Sequence, residues 1–303
     1  MANTNFDGIS VGGVPITGSS TQKDSSGSTY FVDNNSGSDS NDGSSWDKSF
    51  KTLAKAITIS NIDIARGSDR WARRNTIFYC ADTETATLTA FPNKCDVIGC
   101  GSYDANKSAG ITGHHAPVNT GNYGTRFFNV WFKGKATASP IITLVNSSSG
   151  IEFHNCTFDG SVGTVTLGLS STASPFLKVN GCHFFGPFAT GYISLGAGEA
   201  AGTLIENNRM GGSSGYGIGI NASTTSSYTS VIRNNFIQVN TTGITVDDNS
   251  DLFYVVFNRC FNQATLTNAA GWTGGFDVNA DLTQANTLSG ADITVNAPTI
   301  IVA

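Results

Sequence analysis

The sequence is poor in charge, in proline and in long apolar runs. Only 13% of the 303 residues are charged, about half of the share that is usual in soluble domains. Lys and Arg number 17 against 22 Asp and Glu, a net charge of −5, so the chain lacks the basic face that a duplex-DNA-binding protein needs. No stretch approaches the roughly 18 consecutive apolar residues of a membrane span. We therefore expect neither a nucleic-acid partner nor a membrane partner.

The N-terminus and the cysteines lack the signals of a secreted protein. The opening MANTNFDGIS has neither the basic start nor the apolar run of a secretory signal, which predicts a protein made in a cytoplasm and released, if at all, by a route such as lysis. The six cysteines form no CxxC pair, and a disulfide scaffold is normally shorter and denser in cysteine. We expect reduced, mostly buried thiols that behave as small hydrophobes. They are Cys80, Cys95, Cys100, Cys156, Cys182 and Cys260.

Glycine and small polar residues are abundant instead. The chain has 35 glycines, roughly 12% of its residues against a usual 7%, and short runs of Ile, Val and Phe alternate with Gly, Ser, Thr and Asn. A coiled coil would need Glu, Lys and Leu in quantity, and a disordered chain would have more charge and fewer aromatics. This composition predicts an all-β protein with many turns.

Residues 1–28 are predicted to form a separate N-terminal arm and linker. Apolar residues broken by glycines are followed, from residue 17, by a Gly/Ser-rich stretch of the kind that forms flexible linkers. Such a short apolar strip cannot build its own core, so it either packs on the main domain or docks on another protein. The apolar residues through which it would dock are Phe6, Ile9, Val11, Val14 and Ile16.

The segment at residues 30–57 carries the most specific local pattern. A strand, Tyr30-Phe31-Val32, runs into a polar Gly/Asp/Asn loop, and an amphipathic helix follows at about residues 50–65. Its apolar residues recur at i, i+3, i+4 and i+7, and Ser49 precedes the first of them as the expected N-cap. They are Phe50, Leu53, Ala54 and Ile57.

Six segments align without gaps and define an internal repeat. Their first and sixth positions are apolar, and their third position is Asn or, once, Gly, with spacings of 26, 26, 26, 27 and 24 residues. Such a period in β-rich units is typical of a solenoid, whereas a β-sandwich would show alternating strands without this register. The segments are Phe127–Phe132, Phe153–Phe158, Val179–Phe184, Ile205–Met210, Ile232–Ile237 and Val256–Phe261.

Each repeat is predicted to be one coil in which two strands meet at an Asn-centred bend, because Asn tolerates the left-handed conformation. Stacked coils lie about 4.8 Å apart, so the first and the sixth positions should each form an interior stack. Asn208 and Asn235 are expected to begin a ladder of amide hydrogen bonds, with Cys156 and Cys182 in the same row.

These repeats resemble the right-handed parallel β-helix of pectin-lyase-like proteins. The strand ending in Val-Asp, the Gly-Ser-Asp-x-Asn-Asp-Gly loop and the Phe-Lys-Thr-Leu-Ala-Lys-Ala-Ile helix at residues 30–57 look like the N-terminal motif of that superfamily, whose helix caps the solenoid. The segment Val97–Gly101 looks like an early coil. The resemblance covers roughly residues 30–290. It implies the fold rather than an activity, since this scaffold hosts lyases, hydrolases, adhesins and bacteriophage spikes.

An apolar arm, a Ser/Gly linker and a β-helix in this order resemble the appendages of bacteriophage virions. Such proteins attach through their arms and are commonly homotrimers. The resemblance implies a homotrimer, other virion proteins as partners of the arm, a possible host surface glycan as ligand, and a place in the virion after synthesis in the host cytoplasm. No cofactor or metal is expected.

Catalytic candidates are weak. Glycoside hydrolysis needs two carboxylates roughly 5–9.5 Å apart, and the best candidates are Asp247, Asp248 and Asp251. Adjacent strand residues point to opposite faces, so Asp247 and Asp248 are a poor pair. Asp248 and Asp251 are expected to shape a turn instead. The Gly-His-Gly and Arg-x-Lys motifs of polygalacturonase-like relatives are absent.

Other polar residues are expected to be structural. The loop with Asp33, Asp39 and Asp42 does not fit the EF-hand register, so turns are favoured over a Ca²⁺ site. The adjacent pair His114 and His115 is predicted to lie in an exposed loop. The remaining candidates are strand or bend residues and a basic cluster around Trp71: Glu152, His154, Asp159, His183, Glu206, Arg209, Arg66, Arg70, Arg73 and Arg74.

The sequence thus predicts a parallel β-helix at residues 29–290, flanked by the arm and by C-terminal strands at residues 291–303. The leading functional hypothesis is a structural virion protein, either a capsid decoration or head fibre or a short tail spike. The alternatives are a polysaccharide-degrading enzyme, such as a tailspike depolymerase or a pectin-lyase-like lyase or hydrolase, and a non-catalytic glycan-binding adhesin.

Overall fold

A computed structural model of the chain describes 14 segments. They are residues 10–11, 14–15, 27–66, 73–101, 109–118, 122–145, 148–196, 201–212, 215–220, 229–239, 242–246, 253–261, 264–268 and 280–281. Within the arm, Ser10–Val11 and Val14–Pro15 pair as short antiparallel strands. The predicted attachment residues Phe6, Ile9 and Ile16 and the predicted C-terminal strands lie outside the described residues. No helix in these segments is long and apolar enough to cross a membrane.

Three parallel sheets form a β-solenoid, which confirms the predicted fold class. Sheet 1 contains, in stacking order, Thr29–Asp33, Asn75–Cys80, Cys95–Gly99, Arg126–Phe128, Glu152–His154, Lys178–Asn180, Leu204–Glu206, Ser230–Arg233 and Phe253–Val256. Sheet 2 contains Glu84–Thr85, Ala109–Thr112, Val130–Lys133, Thr157–Asp159, His183–Phe185, Arg209–Gly211, Phe236–Gln238, Arg259–Phe261 and Ala280–Asp281. Sheet 3 contains Ile142–Leu144, Leu167–Ser171, Gly191–Leu195, Tyr216–Ile220, Thr242–Val246 and Ala264–Asn268, and Asn122–Tyr123 pairs separately with Ser148–Ser149.

The repeat positions form the predicted interior stacks. Phe127 and Phe153 stack face to face, with ring centroids 5.4 Å apart, and Phe158 and Phe184 do so at 4.4 Å. All four rings are fully buried. Burial of a Phe side chain contributes roughly 1.5–3 kcal/mol, so these stacks are a main source of the stability of the solenoid.

The last repeat lies one residue earlier than the sequence alignment predicts. Ile232 pairs with Val255 and Ile237 pairs with Cys260, so Val255, not Val256, continues the first stack, and the spacing from Ile232 is 23 residues. The reason is the buried amide at the fourth position of the repeat, which must continue the row of Asn235 and therefore places Asn258 there.

The bend between sheets 1 and 2 is left-handed in every described repeat. The six residues at this bend, here called the bend column, have φ between 51° and 66°. Asn and Gly adopt this conformation at low cost, and they occupy five of the six positions. The bend column consists of Asn129, Asn155, Gly181, Asn207, Asn234 and Phe257.

The helix begins three residues later than predicted. It spans Leu53–Ala65, and the side chain of Thr52, not Ser49, accepts a hydrogen bond from Lys55 N as N-cap. Phe50 forms a β-bridge with Val32 instead of opening the helix. The helix packs on the first two strands of sheet 1. The free edge of the first strand is paired by the loop that precedes the helix, through Gly43 O and the backbone of Phe50, so its backbone groups are not left open.

Replacement of Phe257 by asparagine should stabilise the protein. Phe257 has φ 56° and is 55% exposed, so its ring offsets little of the roughly 1–2 kcal/mol that a bulky residue costs in the left-handed region. We expect Phe257→Asn to raise the free energy of unfolding by about 1 kcal/mol in urea titrations. Phe257→Ala keeps an unfavourable side chain at this φ and should gain less. Equal stability of the two variants would contradict the explanation.

Candidate functional site

The outer face of sheet 1 carries a row of alternating charges that the sequence reading missed. Four residues on successive coils pair in register and point outward, because the residue after each of them is fully buried. They are Asp96, Arg126, Glu152 and Lys178, here called the charged row. For Arg126, Glu152 and Lys178 the signal was present in the repeat alignment, at the position just before the first apolar residue, whereas Asp96 lies before the first aligned segment.

At one end of the charged row, Asp96 is held by two arginines. Arg126 donates to both carboxylate oxygens of Asp96, at 2.7 Å from Nε and 2.6 Å from an Nη. Arg74 donates to Asp96 Oδ1 at 2.8 Å and to Gly124 O at 2.9 Å. The hydrogen bond to Asp96 raises the pKa of Arg126. Such a bidentate arrangement fixes both partners in one geometry.

Further along the charged row, Glu152 is paired with a histidine of its own strand. His154 Nε2 lies 2.6 Å from Glu152 Oε2, and this hydrogen bond is the main reason why the pKa of Glu152 lies below its ordinary value. The His154 ring stacks on Phe128 of the preceding coil, with centroids 4.9 Å apart and planes 12° apart. Glu152 is therefore ionised at neutral pH.

A second outward row contains another ion pair. Asn180, Glu206 and Arg233 follow His154 in register. Arg233 donates to Glu206 Oε2 at 2.9 Å from Nε. Glu152 and Glu206 thus lie in different rows, as their repeat positions predict, and do not form one pair of carboxylates.

Exposed aromatic side chains accompany the charged row. Tyr123 is 55% exposed and Phe176 is 44% exposed, and each lies at the corner where its coil enters sheet 1, within three residues of Arg126 and Lys178 respectively. Phe176 has φ 59°. The glycines at the equivalent corner of the neighbouring coils are also left-handed, so this conformation belongs to the bend of the solenoid. Aromatic rings beside charges form a surface suited to binding rather than to burial.

The acidic residues of the N-terminal loop have structural roles, as predicted. Asp39 accepts hydrogen bonds from Lys51 N and Thr52 N, at 3.0 and 2.9 Å, beside the start of the helix. Asp33 and Asp42 accept from backbone N–H groups two residues later. No group of three His, Cys, Asp or Glu residues suited to a metal ion occurs in the described parts of the chain.

His115 is not in an exposed loop, so that prediction is wrong. It is 1% exposed, its ring packs edge-on against Phe132, and its Nδ1 accepts a hydrogen bond from Leu88 N at 3.2 Å. The strand pairing of His115 with Ile142 turns its side chain into the solenoid. His114 points elsewhere and contacts Pro140 O at 2.7 Å.

The other candidates are dispersed. Asp159 is buried and caps a turn at Ser161 N. His183, half-buried, pairs in register with Arg209, and burial is the main cause of its lowered pKa. Arg73 lies 3.9 Å from Asp63. Arg70, Trp71, Asp247, Asp248 and Asp251 lie outside the described residues.

The described carboxylates do not form an acid–base pair. A glycosidase needs one carboxyl group kept protonated and a second one ionised nearby. Among the described outward-facing carboxylates of sheet 1, Asp96, Glu152 and Glu206 are each held by a basic side chain. The pKa of Glu84 is raised by burial, but this side chain accepts from Leu53 N, inside the protein. These outward carboxylates are held in position by their ion pairs and hydrogen bonds.

Comparison with known proteins gives no match: no family model, no curated protein and no solved structure matches the chain. The parallel β-solenoid is therefore established by its own strand register.

Proposed function

We propose that the chain is a non-catalytic structural protein of a bacteriophage virion, a capsid decoration or head fibre or a short tail spike, whose solenoid is displayed for surface adhesion or capsid stabilisation. The observation that carries the proposal is the pairing of the outward carboxylates. Asp96 and Glu206 each form an ion pair with an arginine at 2.6–2.8 Å, and Glu152 is hydrogen-bonded to His154 at 2.6 Å. Carboxylates that are held in this way suit a rigid surface better than proton transfer.

The arrangement of the chain supports the virion assignment. A segment of apolar and glycine residues precedes a Ser/Gly-rich linker, and the solenoid follows from Thr29. In this proposal the arm, through Phe6, Ile9, Val11, Val14 and Ile16, binds other virion proteins. The solenoid projects outward as part of a homotrimer, and the aromatic corner of Tyr123 and Phe176 faces a host surface glycan.

Immunogold electron microscopy tests the location. Antibody raised against the purified protein should label virions isolated from a culture that produces the chain, and an antibody against a non-virion protein of the same culture serves as control. Absence of label on intact and on disrupted virions would overturn the proposal.

Light scattering measures the assembly state. A mass near three times 31.6 kDa supports the trimer, whereas a monomer excludes the trimeric tail spike and leaves a decoration protein.

A glycan panel separates display from degradation. We expect binding without release of reducing ends or unsaturated sugars. The best-placed groups for an activity are Glu152 and His154, which lie on an open face at 2.6 Å from each other. If the protein releases product, the two kinds of variant decide whether it is an enzyme. Release that is lost in Glu152→Gln or Asp248→Asn but kept in the matched Glu206→Gln variant would overturn the display proposal and support a depolymerase.

A further inference from the structure

Of the five cysteines whose side chains the structure describes, two lie side by side on the surface. Cys80 is the last residue of the second strand of sheet 1, and Cys100 directly follows the third strand. Tyr79 pairs with Gly99 in register, and Cys100 N donates to Tyr79 O at 2.7 Å. The next residues of the two coils, Cys80 and Cys100, are therefore opposite each other, about 4.8 Å apart along the solenoid axis.

Both side chains point away from the core. Tyr79 and Gly99 are buried, and the alternation of the strands turns the following residue of each coil outward. Cys80 and Cys100 are accordingly half-buried, whereas Cys95, Cys156 and Cys182 are buried. The prediction that the cysteines are mostly buried holds for those three and fails for this pair.

The surroundings of the pair disfavour thiolates. Burial raises the pKa of both thiols, and the carboxylates of Asp33 and Asp82 raise the pKa of Cys80 further. Asp33 pairs in register with Cys80 on the preceding coil. A disulfide carries no charge, so the neighbouring carboxylates do not disfavour it as they disfavour a thiolate. The separation of the two coils lies within the Cα–Cα range of about 4.4–6.8 Å in which a disulfide closes without large backbone movement.

We propose that Cys80 and Cys100 form a reversible disulfide that links the second and third strands of sheet 1 when the protein enters an oxidising environment. The oxidant is a low-molecular-weight disulfide. One thiolate attacks it, which forms a mixed disulfide and releases one small thiol. The second cysteine then attacks the mixed disulfide at the protein sulfur, the protein S–S bond forms, and a second small thiol leaves. The two protons that the protein thiols lose are taken up, by way of solvent, by the two departing small thiolates. The proposal does not depend on the proposed function.

The disulfide should stabilise the N-terminal coils. It closes a loop of 20 residues, from Cys80 to Cys100, and a cross-link restricts the unfolded chain more than the folded one. We expect the midpoint of thermal unfolding to rise by about 5 °C on oxidation. Because the thiolate is the nucleophile, the rate should rise by close to tenfold per pH unit below the thiol pKa.

The test uses the reduced full-length protein in buffers of reduced and oxidised glutathione. In oxidising buffer, free thiols counted after denaturation should fall from six to four, and a tryptic digest should contain the peptide at residues 75–94 linked to the peptide at residues 95–107. Fragmentation should assign the link to Cys80 and Cys100. Reductant should restore six thiols and the lower unfolding temperature.

Matched variants identify the pair. Cys95→Ala, which removes the buried neighbour on the same peptide, should keep the link. Cys80→Ser should abolish it and leave Cys100 as a mixed disulfide with glutathione. Molecules that carry glutathione on Cys80 and Cys100 together, or a link between the two peptides that persists in Cys100→Ser, would overturn the proposal. So would the retention of six free thiols in oxidising buffer.

Discussion

Replacement of Asn235 by alanine is expected to destabilise the solenoid by about 3–5 kcal/mol, because several buried polar groups lose their partners at once. Asn235 Nδ2 donates to Ile205 O and to Asn258 Oδ1, at 3.1 and 2.8 Å. Its Oδ1 accepts from Asn208 N and from Asn208 Nδ2, at 3.1 and 2.9 Å. Urea unfolding, followed by far-UV circular dichroism, measures the change.

Two variants serve as controls for the amide ladder of Asn208, Asn235 and Asn258. Asn235→Cys should cost less than alanine, because Cys156 and Cys182 occupy the same row and donate from Sγ to the carbonyls of Phe127 and Phe153. Asn234→Ala changes the adjacent bend residue and should cost about 1 kcal/mol through its left-handed φ. If Asn235→Ala costs no more than Asn234→Ala, the ladder is not a major source of stability.

Acid should destabilise the protein through His115 before carboxylates with a lowered pKa, such as Glu152, are protonated. Burial lowers the pKa of His115 from 6.5 to about 3. Between these two values the unfolded state binds a proton that the folded state does not bind, so stability falls as the pH falls. The slope approaches about 1.4 kcal/mol per pH unit, and roughly 2–3 kcal/mol should be lost between pH 6.5 and pH 4.5.

A comparison of two histidine variants isolates this effect. His115→Asn retains an acceptor near the position of Nδ1 for Leu88 N and removes the titration. It should flatten the stability profile between pH 6.5 and pH 4.5. His183→Asn removes a half-buried histidine whose pKa is also lowered, and it should change the slope less. The pKa of Glu152 is lowered, so its contribution is lost only as the pH falls below about 4.5. A profile unchanged in His115→Asn would contradict the assignment.

Much of the fold followed from the repeat pattern. The apolar first and sixth positions became the stacks of Phe127 and Phe153 and of Phe158 and Phe184, since only apolar side chains can fill the dry interior of a solenoid. The Asn-centred bend followed from the tolerance of Asn for positive φ. The alignment was wrong at the last repeat, where the bend and the buried amide ladder both favour asparagine. Asn258 occupies the buried ladder position there, and Phe257 occupies the strained bend.

The candidate site was harder to predict. Glu152 and Glu206 were recognised as candidates and correctly assigned to different repeat positions. Asp96 and Arg126, which form a bidentate ion pair on the outer face, were not recognised. Solvent-facing positions carry no apolar pattern, so the alternation of charge is visible only after the coils are aligned.

The sequence by itself determined the period, the buried faces and the bends, because each of these depends on local residue preferences that recur in every coil. Only the tertiary structure decided which surface groups meet. The coils are joined by turns of unequal length, so residues such as Cys80 and Cys100, or Asp96 and Arg126, become neighbours through strand register and not through spacing in the chain. The same register turned His115 into the core, where the cost of burying a charge sets its pKa.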